Sequence, residues 1–343
     1  MRRLNRTQIY LFFLIVAITA SCRDRNKVDV SGISVDIKVE RFDQEFGQLK
    51  PHDLINGIPP LQKKYGAFYA DYMQGILSAG SVADTGYFQN LRTILKNPDY
   101  LALKEAVDRK FPDLKTSEAE LTQAFKHVKY YYPERKTPRL ISFLSGFAVQ
   151  TPIGNDYIGI GLDMFLGADS RFYPALRQSI PQYISRRFTP QNITPRVMEA
   201  YLREDLYPEQ DGDRSLLAKM IYNGKILYSM DAFMPEMADT LKIGYTAAQM
   251  EWCHAYESSI WGYFLEQNLL YETDYLKIQK YLAEAPFTPG LGEGNESAPK
   301  LGVWTGWQIV REYMRRNPET TLQQLLKESD PQKILSGSKY KPK

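Results

Sequence analysis

The sequence predicts an α+β fold in which helices predominate and cover a small β-sheet. Apolar residues recur at three- and four-residue spacing through most of the chain, which is the period of a helix that buries one face. Only three short segments, 33–39, 139–149 and 157–166, have the alternation or the continuous apolar runs of strands. With 43% hydrophobic and 13% aromatic residues, residues 32–343 are predicted to form a single globular domain with an ample core.

The three strand predictions rest on two patterns. From Ile33 to Val39, apolar residues alternate with polar ones, which is typical of a half-buried strand. Segments 139–149 and 157–166 are apolar and partly β-branched, and the turn-forming sequence TPIGND separates them. Because strands joined by a short turn pair antiparallel, we expect these two segments to form a hairpin.

Helical patterns fill most of the remaining chain. In the second half of the chain, the predicted helix starts are Pro181, Thr194, Asp213, Thr246 and Gly302. The helix from Thr246 is the best defined, because Thr246 and Gln249 match a capping box. Its apolar face comprises Met250, Cys253, Ile260, Trp261, Phe264 and Leu265. Segment 285–302 has no periodicity and is rich in Pro and Gly, so we expect a loop on the surface.

The start of the chain has the layout of a bacterial lipoprotein signal. Residues 9–20 are apolar but form a stretch too short to span a bilayer comfortably, and Ser21 and Cys22 follow at once. The basic residues that precede the stretch are Arg2, Arg3 and Arg6. Two alternatives remain open from the residues: an ordinary secretory signal and an uncleaved anchor helix. All three interpretations place the rest of the chain outside the cytoplasm.

Lipidation would divide the chain into three parts. Residues 1–21 would be the removed signal peptide, Cys22 would carry fatty acyl chains such as palmitate, and residues 22–31 would be a membrane tether. Removal of the signal takes away three of 43 basic residues and no acidic one, which leaves 40 Lys and Arg against 40 Asp and Glu. A neutral chain gives no electrostatic reason to expect nucleic-acid binding.

The common catalytic motifs are absent from the sequence. No HExxH motif occurs, which excludes a standard zinc-peptidase site, and there is no GxSxG elbow. Ser142 and Ser145 therefore have no histidine to assign as a base. The only histidines are His52, His127 and His254. We therefore predict a non-enzymatic protein with no cofactor other than the covalent lipid on Cys22.

Two carboxylates on apolar segments are candidate polar residues of a pocket or of the core. Glu257 lies four residues from both Cys253 and Trp261, on the face of the helix that should be buried. Asp163 lies within the apolar end of the second predicted hairpin strand. A buried carboxylate must be paired or neutral. Each could be an acid or ligand in a pocket, and each could equally make a buried ion pair or hydrogen bond.

Several longer stretches resemble the gliding motility lipoprotein GldB family. The stretches are VERFDQEF, ISFLSGF, IGIGLDMFLG, IPQYISRRF, MIYNGKILY, IGYTAAQMEWCHAYESSIWGYF and KILSGSKYKP. The resemblance implies a lipoprotein that faces the periplasm and belongs to the envelope machinery of cell gliding. It also implies partners among the gliding and secretion proteins of the envelope. Because Arg23, Asp24 and Arg25 lack an Asp-Asp retention pair and an acidic export run, we expect the inner leaflet of the outer membrane.

The order of elements is also similar to that of zincin-type metallopeptidases. That resemblance would place IPQYIS at the metal-binding helix and MIYNGKILY at the helix of the third ligand. Pro181, Gln182, Ser185 and Asn223 would then occupy the degenerate metal-site positions, and none of them supplies an imidazole or carboxylate. The resemblance implies a peptidase-like scaffold whose cleft binds a peptide without hydrolysing it.

Three functional hypotheses follow. The first is a lipid-anchored, non-enzymatic accessory or assembly protein of the gliding machinery. The second is an envelope hydrolase that uses Asp163 and Glu257 with a non-standard metal. The third is a periplasmic module that binds peptide or glycan in a cleft.

Overall fold

The computed structural model describes residues 28–210, 212–292, 294 and 296–343. The predicted signal peptide, residues 1–21, and the acylation site Cys22 lie outside the described residues. The described end of the predicted tether packs against the domain, since the side chain of Val30 is only 7% exposed. The amide of Ile33 donates to the carbonyl oxygen of Val30 over 3.0 Å, which holds this end of the chain in a turn.

The sheet has three short strands, β1 (Val39–Arg41), β2 (Arg139–Phe143) and β3 (Tyr157–Gly161). They lie in the order β1-β2-β3, and both neighbouring pairs are parallel. Leu140 of β2 sits opposite both Val39 and Ile158 in the register. A small parallel sheet among helices confirms the predicted fold class, and the near-continuous apolar sequence of β2 and β3 is what burial on both faces requires.

The predicted hairpin between residues 139–149 and 157–166 is wrong. Strand β2 ends at Phe143, and residues 144–156 carry the chain back so that β3 runs parallel to it. The turn after residue 154 does reverse the chain, but the segment that it joins to β3 is 150–154. That segment pairs antiparallel with β3 through the bridge between Ile153 and Ile158. The turn residues correctly predict a reversal of the chain, but the segment that pairs with β3 across this turn is 150–154 and not β2.

The helices occupy most of the remaining chain. In chain order, their bounds are α1 Phe42–Gly47, α2 Leu54–Tyr65, α3 Ala67–Asp71, α4 Tyr87–Lys96, α5 Pro98–Lys110, α6 Lys115–Tyr131, α7 Gln182–Ser185, α8 Ile193–Tyr201, α9 Leu216–Phe233, α10 Asp239–Ile243, α11 Ala247–Ala255, α12 Glu257–Glu266, α13 Tyr275–Ile278, α14 Leu301–Arg316, α15 Leu322–Lys327 and α16 Pro331–Ser338. Two π-helical segments continue α3 and α8, at Tyr72–Ile76 and Leu202–Leu206.

The sheet separates two hydrophobic clusters. Helices α1 to α4 cover one face with an aromatic cluster, which Ile141, Phe143 and Tyr157 join from the sheet. The larger cluster lies on the other face, where Leu140 and Ile158 meet α6, α8, α9 and the C-terminal helices. Each face of the sheet is thus buried by helices, which is the layered arrangement that the apolar patterns predicted.

Helices α9 and α14 cross with their backbones in contact. A Cβ atom on Gly306 of α14 would lie 1.9 Å from the carbonyl oxygen of Met220, and one on Gly224 of α9 would lie 2.3 Å from that of Gly306. Only glycine fits at such a crossing, because any side chain would overlap the facing backbone. Trp304 and Trp307 flank the crossing and are fully buried.

Two expectations about the C-terminal half need correction. The helix predicted from Thr246 onward is two helices, because the chain bends at Tyr256, whose φ of −111° and ψ of 17° leave the helical region. Leu265, predicted on the buried face, is 47% exposed in the last turn of α12. Loop 285–302 does not lie wholly on the surface, because Thr288 is fully buried. The backbone amide of Thr288 donates to the hydroxyl of Ser297, and its hydroxyl donates to the carbonyl oxygen of Ala298.

The close crossing of α9 and α14 predicts that a single added methyl group at Gly306 strongly lowers the stability of the fold. We expect Gly306→Ala to lower the free energy of unfolding by about 3 kcal/mol, because the added carbon forces two packed helices apart. Urea unfolding followed by circular dichroism measures the change.

Gly262→Ala is the matched control, since Gly262 lies inside α12 and its added Cβ would meet nothing within 4 Å. This control should raise stability by about 0.5 kcal/mol. Equal stability of the Gly306→Ala protein and the unsubstituted protein would contradict close backbone contact at the crossing.

Candidate functional site

A large cleft opens beside the edge of the sheet. Its volume is about 1120 Å³, and its walls are residues 150–158 on one side and side chains between residues 196 and 205 on the other. Residues 135–139 also line the cleft. The volume is that of a site for a sizeable ligand, and the lining is rich in charged groups.

The first wall is the extended segment 150–154. Its carbonyl oxygens accept from β3, with Gly161 N to Gln150 O at 2.9 Å and Gly159 N to Pro152 O at 2.8 Å. In an antiparallel pair, the alternate residues direct their N–H and C=O groups away from the partner strand. Those residues are Thr151 and Ile153, and both line the cleft. The cleft is therefore bordered by a backbone edge that has no partner strand among the described residues.

Asp163 holds the turn that leads into this wall. Its carboxylate accepts hydrogen bonds from the amide of Ser145 at 2.8 Å, the hydroxyl of Ser145 at 2.9 Å and the amide of Phe147 at 2.6 Å. The turn contains Gly146 and Phe147 at φ near +65°, a backbone region that non-glycine residues rarely adopt. Asp163 is fully buried, and burial raises its pKa, although these donors oppose the shift. It anchors the structure and is not accessible to a ligand.

The second wall presents an ion-pair cluster on α8 and its π-helical continuation. Arg203 Nε donates to Glu199 Oε1 over 3.0 Å, and Arg196 forms an ion pair with the other oxygen of the same carboxylate. Burial opposes ionisation of Glu199, but the two guanidinium groups outweigh it and lower its pKa to about 2. Glu199 is therefore ionised and paired at neutral pH.

Asn223 is the one degenerate metal-site position that contacts this cluster. Its Oδ1 accepts from Arg203 Nη2 over 2.9 Å, and its Nδ2 donates to the carbonyl oxygen of Lys219. Pro181, Gln182 and Ser185 lie at the short helix α7, and no side-chain hydrogen bond connects them to Asn223 within the described part of the chain. The four positions suggested by the peptidase resemblance thus do not form one contact cluster.

Glu257 lies elsewhere, at the first position of α12. It is half-buried and accepts a hydrogen bond from the hydroxyl of Tyr340 over 2.7 Å. The contact ties the C-terminal end of the chain to α12. No described contact joins Glu257 to Asp163, so the two carboxylates proposed for a hydrolase are not brought together.

Arg196, Glu199 and Arg203 were not among the residues predicted from the sequence. Their signal was present, because charged residues spaced by three and four positions share one face of a helix. The remaining residues of that helix are mostly apolar and buried: Ile193, Val197, Met198, Tyr201 and Leu202. A charged stripe on a mostly buried helix is better explained by a polar site than by a solvated face.

Among the described residues, no three His, Cys, Asp or Glu side chains are grouped so that they could hold a metal ion. No described helix combines the length and the hydropathy needed to cross a bilayer.

Comparison with known protein families identifies the chain. A family profile described as gliding motility protein GldB matches residues 23–342, which is nearly the whole chain. The chain belongs to the GldB family. Membership confirms the resemblance drawn from the sequence motifs and makes this a gliding motility protein of a lipoprotein family. The match spans both walls of the cleft. Neither the curated proteins nor the solved structures contain a match to the chain.

The pairing of Glu199 predicts a specific dependence of stability on pH. An acid whose pKa is lower in the folded state stabilises the fold above its unfolded value of 4.5, and this contribution is lost as pH falls toward 2. We expect Glu199→Gln to lower the free energy of unfolding by about 3 kcal/mol at pH 7. The difference from the unsubstituted protein should shrink between pH 4.5 and pH 2.

Urea unfolding at a series of pH values tests this expectation. Glu251→Gln is the control, because Glu251 is exposed on α11 and its replacement should leave the stability at pH 7 unchanged. A Glu199→Gln protein that shows a constant deficit across the same pH range would contradict the ion-pair assignment.

Proposed function

We propose that this protein is a lipid-anchored, non-enzymatic accessory or assembly component of the gliding machinery in the cell envelope. Acyl chains on Cys22 hold it in the membrane, and the folded body faces the periplasm from the inner leaflet of the outer membrane. The body acts by binding other gliding or secretion proteins in the cleft. Family membership supports the link to gliding, and the sequence around Cys22 supports the anchor.

The start of the described chain limits how far the body could lie from the membrane. Five residues lie between Cys22 and Val28. A fully extended chain over this distance spans at most about 20 Å. Val30 is buried against the domain, so residues from Val30 onward add nothing to the distance between the membrane and the body. A short tether would keep one face of the body near the lipid surface and leave partners to approach from other directions.

The observation that supports a binding function is that the carboxylate of Glu199 in the cleft is ionised and paired. Glu199 is the carboxylate that α8 presents there, and Arg196 and Arg203 hold it as an ion pair. A general acid or base needs a pKa near the working pH, whereas the pKa of Glu199 is about 2. A paired charge in a large open cleft suits recognition of polar groups better than proton transfer.

The hydrolase alternative has weaker support. It requires Asp163 and Glu257 to act together, but Asp163 is fully buried beneath the turn at residues 145–147 and Glu257 is bonded to Tyr340. Their separate hydrogen-bond partners account for both carboxylates as structural groups.

A peptide-binding role of the cleft is favoured by the unpaired edge at Thr151 and Ile153. An extended segment of a partner can add to such an edge through main-chain hydrogen bonds. A glycan could use the polar lining but would not use the regular spacing of the N–H and C=O groups. We therefore infer that the cleft binds an extended polypeptide segment of a partner.

The anchor is tested by Cys22→Ala. Loss of the thiol removes the site of acylation, so we expect the protein to leave the membrane fraction and the cells to lose gliding. Fractionation of the envelope with immunodetection measures the location of the protein, metabolic labelling with a fatty acid measures its acylation, and microscopy of cells on a surface measures gliding. Cys253→Ala is the control, because Cys253 is a buried free thiol and should not carry lipid. Equal labelling of the Cys22→Ala protein and the unsubstituted protein would refute the anchor.

The binding role of the cleft is tested by site-specific crosslinking in gliding cells. A photoreactive amino acid at Lys136, an exposed residue that lines the cleft, should crosslink to envelope proteins of the gliding machinery. The same amino acid at Ser258, exposed on α12 and outside the cleft lining, should give fewer crosslinks. Mass spectrometry identifies the products. Equal crosslinking from both positions would argue against the cleft as the contact surface.

A further inference from the structure

We propose that a basic cluster behind the second wall of the cleft binds a side-chain carboxylate of an acidic polypeptide segment. This inference rests on the proposed function and names the chemistry of the partner that enters the cleft. The basic cluster consists of five cations that influence one another electrostatically, Arg186, Arg187, Arg196, Arg203 and Lys300. They come from α8 and its π-helical continuation, from the segment after α7 and from the residue before α14.

The cations outnumber the carboxylates that face them. Glu199 pairs with Arg196 and Arg203, and Glu284 pairs with Arg187 and Lys300. These are the two acidic partners of the basic cluster within the described residues. The cluster therefore has an excess of three positive charges in a partly buried place, where unpaired charge is costly.

Arg186 shows the same shortage of anions. Its Nη2 donates to the carbonyl oxygen of Gly244 over 3.0 Å and to Gln249 Oε1 over 3.1 Å, and both acceptors are neutral. Burial lowers its pKa, and the charge of Arg187 lowers it further. An added carboxylate would relieve both effects.

Two guanidinium groups also retain unused donors. The Nε atoms of Arg187 and Arg196 are buried and have no hydrogen-bond acceptor among the described residues. Their side chains are only 13% and 14% exposed, so bulk water does not readily satisfy these atoms. A buried donor without an acceptor costs free energy that an oxyanion would recover, and guanidinium groups match carboxylate oxygens in geometry.

Lys300 is the lysine of the basic cluster, and its backbone is in the left-handed region. It adopts φ of +44° immediately before α14, and its ammonium group pairs with Glu284. Burial lowers the pKa of Lys300 to about 8, although Glu284 favours the charged form, and Arg187 adds to the lowering. A second anion nearby would hold Lys300 fully protonated at neutral pH.

The cleft indicates that the anion belongs to a chain and is not a free ion. Arg196 and Arg203 line the cleft, so a group inside the cleft meets the basic cluster at these two side chains. The other three cations act on that group through their charge. A volume of about 1120 Å³ is far larger than one small anion needs. The opposite wall offers the unpaired edge at Thr151 and Ile153. An extended acidic segment would use both walls, with its backbone on the edge and a carboxylate toward Arg196.

Calorimetric titration of the full chain in detergent micelles tests the proposal. The probes are the blocked peptide acetyl-TEVET-amide, its uncharged counterpart acetyl-TQVQT-amide and inorganic phosphate. We expect the glutamate peptide to bind about 30-fold more tightly than the glutamine peptide, because only the former supplies carboxylates to the basic cluster. Arg196→Gln and Arg187→Gln should each remove most of that preference.

Arg315→Gln is the matched control, since Arg315 is 67% exposed on α14 and pairs with Glu312 outside the cleft. It should retain the full preference. Thermal unfolding verifies that each variant is folded, and Arg187→Gln carries the test if Arg196→Gln does not fold. Equal affinity for the two peptides, binding of phosphate alone, or no binding would each overturn the proposal. Crosslinks from Lys136 that persist in such a case would leave the proposed function intact and refute only the acidic ligand.

Discussion

The cleft depends on the hydrogen bonds that the buried carboxylate of Asp163 accepts from Ser145 and Phe147. They hold a turn in which two successive residues have positive φ, and this turn redirects the chain after β2. Residues 150–154 can then return along β3 and form the outer edge of the sheet. Without an acceptor for the two amides, the turn would bury unsatisfied donors. A single carboxylate therefore positions one wall of the cleft.

The other wall is held by ion pairs and by apolar packing. Glu199 is held between two guanidinium groups on α8 and its continuation, and the apolar face of the same helix packs into the larger core. The helix can present charge to the cleft because its opposite side is anchored by burial. Removal of one partner from such an ion pair is costly, whereas the whole pair adds little stability compared with apolar residues of similar volume. What the ion pairs do is fix the positions of charged groups. Such fixed charges favour selective recognition.

Helices α9 and α14 form the rigid support behind both features. The contact of Gly224 and Gly306 with facing backbone allows the two helices to approach more closely than side chains would permit. Lys300 is placed by the start of α14, and Asn223 by the middle of α9. The crossing thus positions two polar residues of the site, although neither glycine touches the cleft. The contact between α9 and α14 therefore contributes both to packing of the core and to the positions of Lys300 and Asn223.

The sequence by itself determined the family, the helix-rich α+β class and the capping box at Thr246, because each depends on residues that are close in the chain or on long specific motifs. It did not determine that β2 and β3 are parallel, since a turn signal specifies a reversal but not the strand that the reversed chain joins. It also did not reveal the basic cluster, whose cations are separated by up to 114 residues, from Arg186 to Lys300. Only the tertiary structure brings them together, because burial of the apolar faces of α8 and α14 fixes where their charged residues lie.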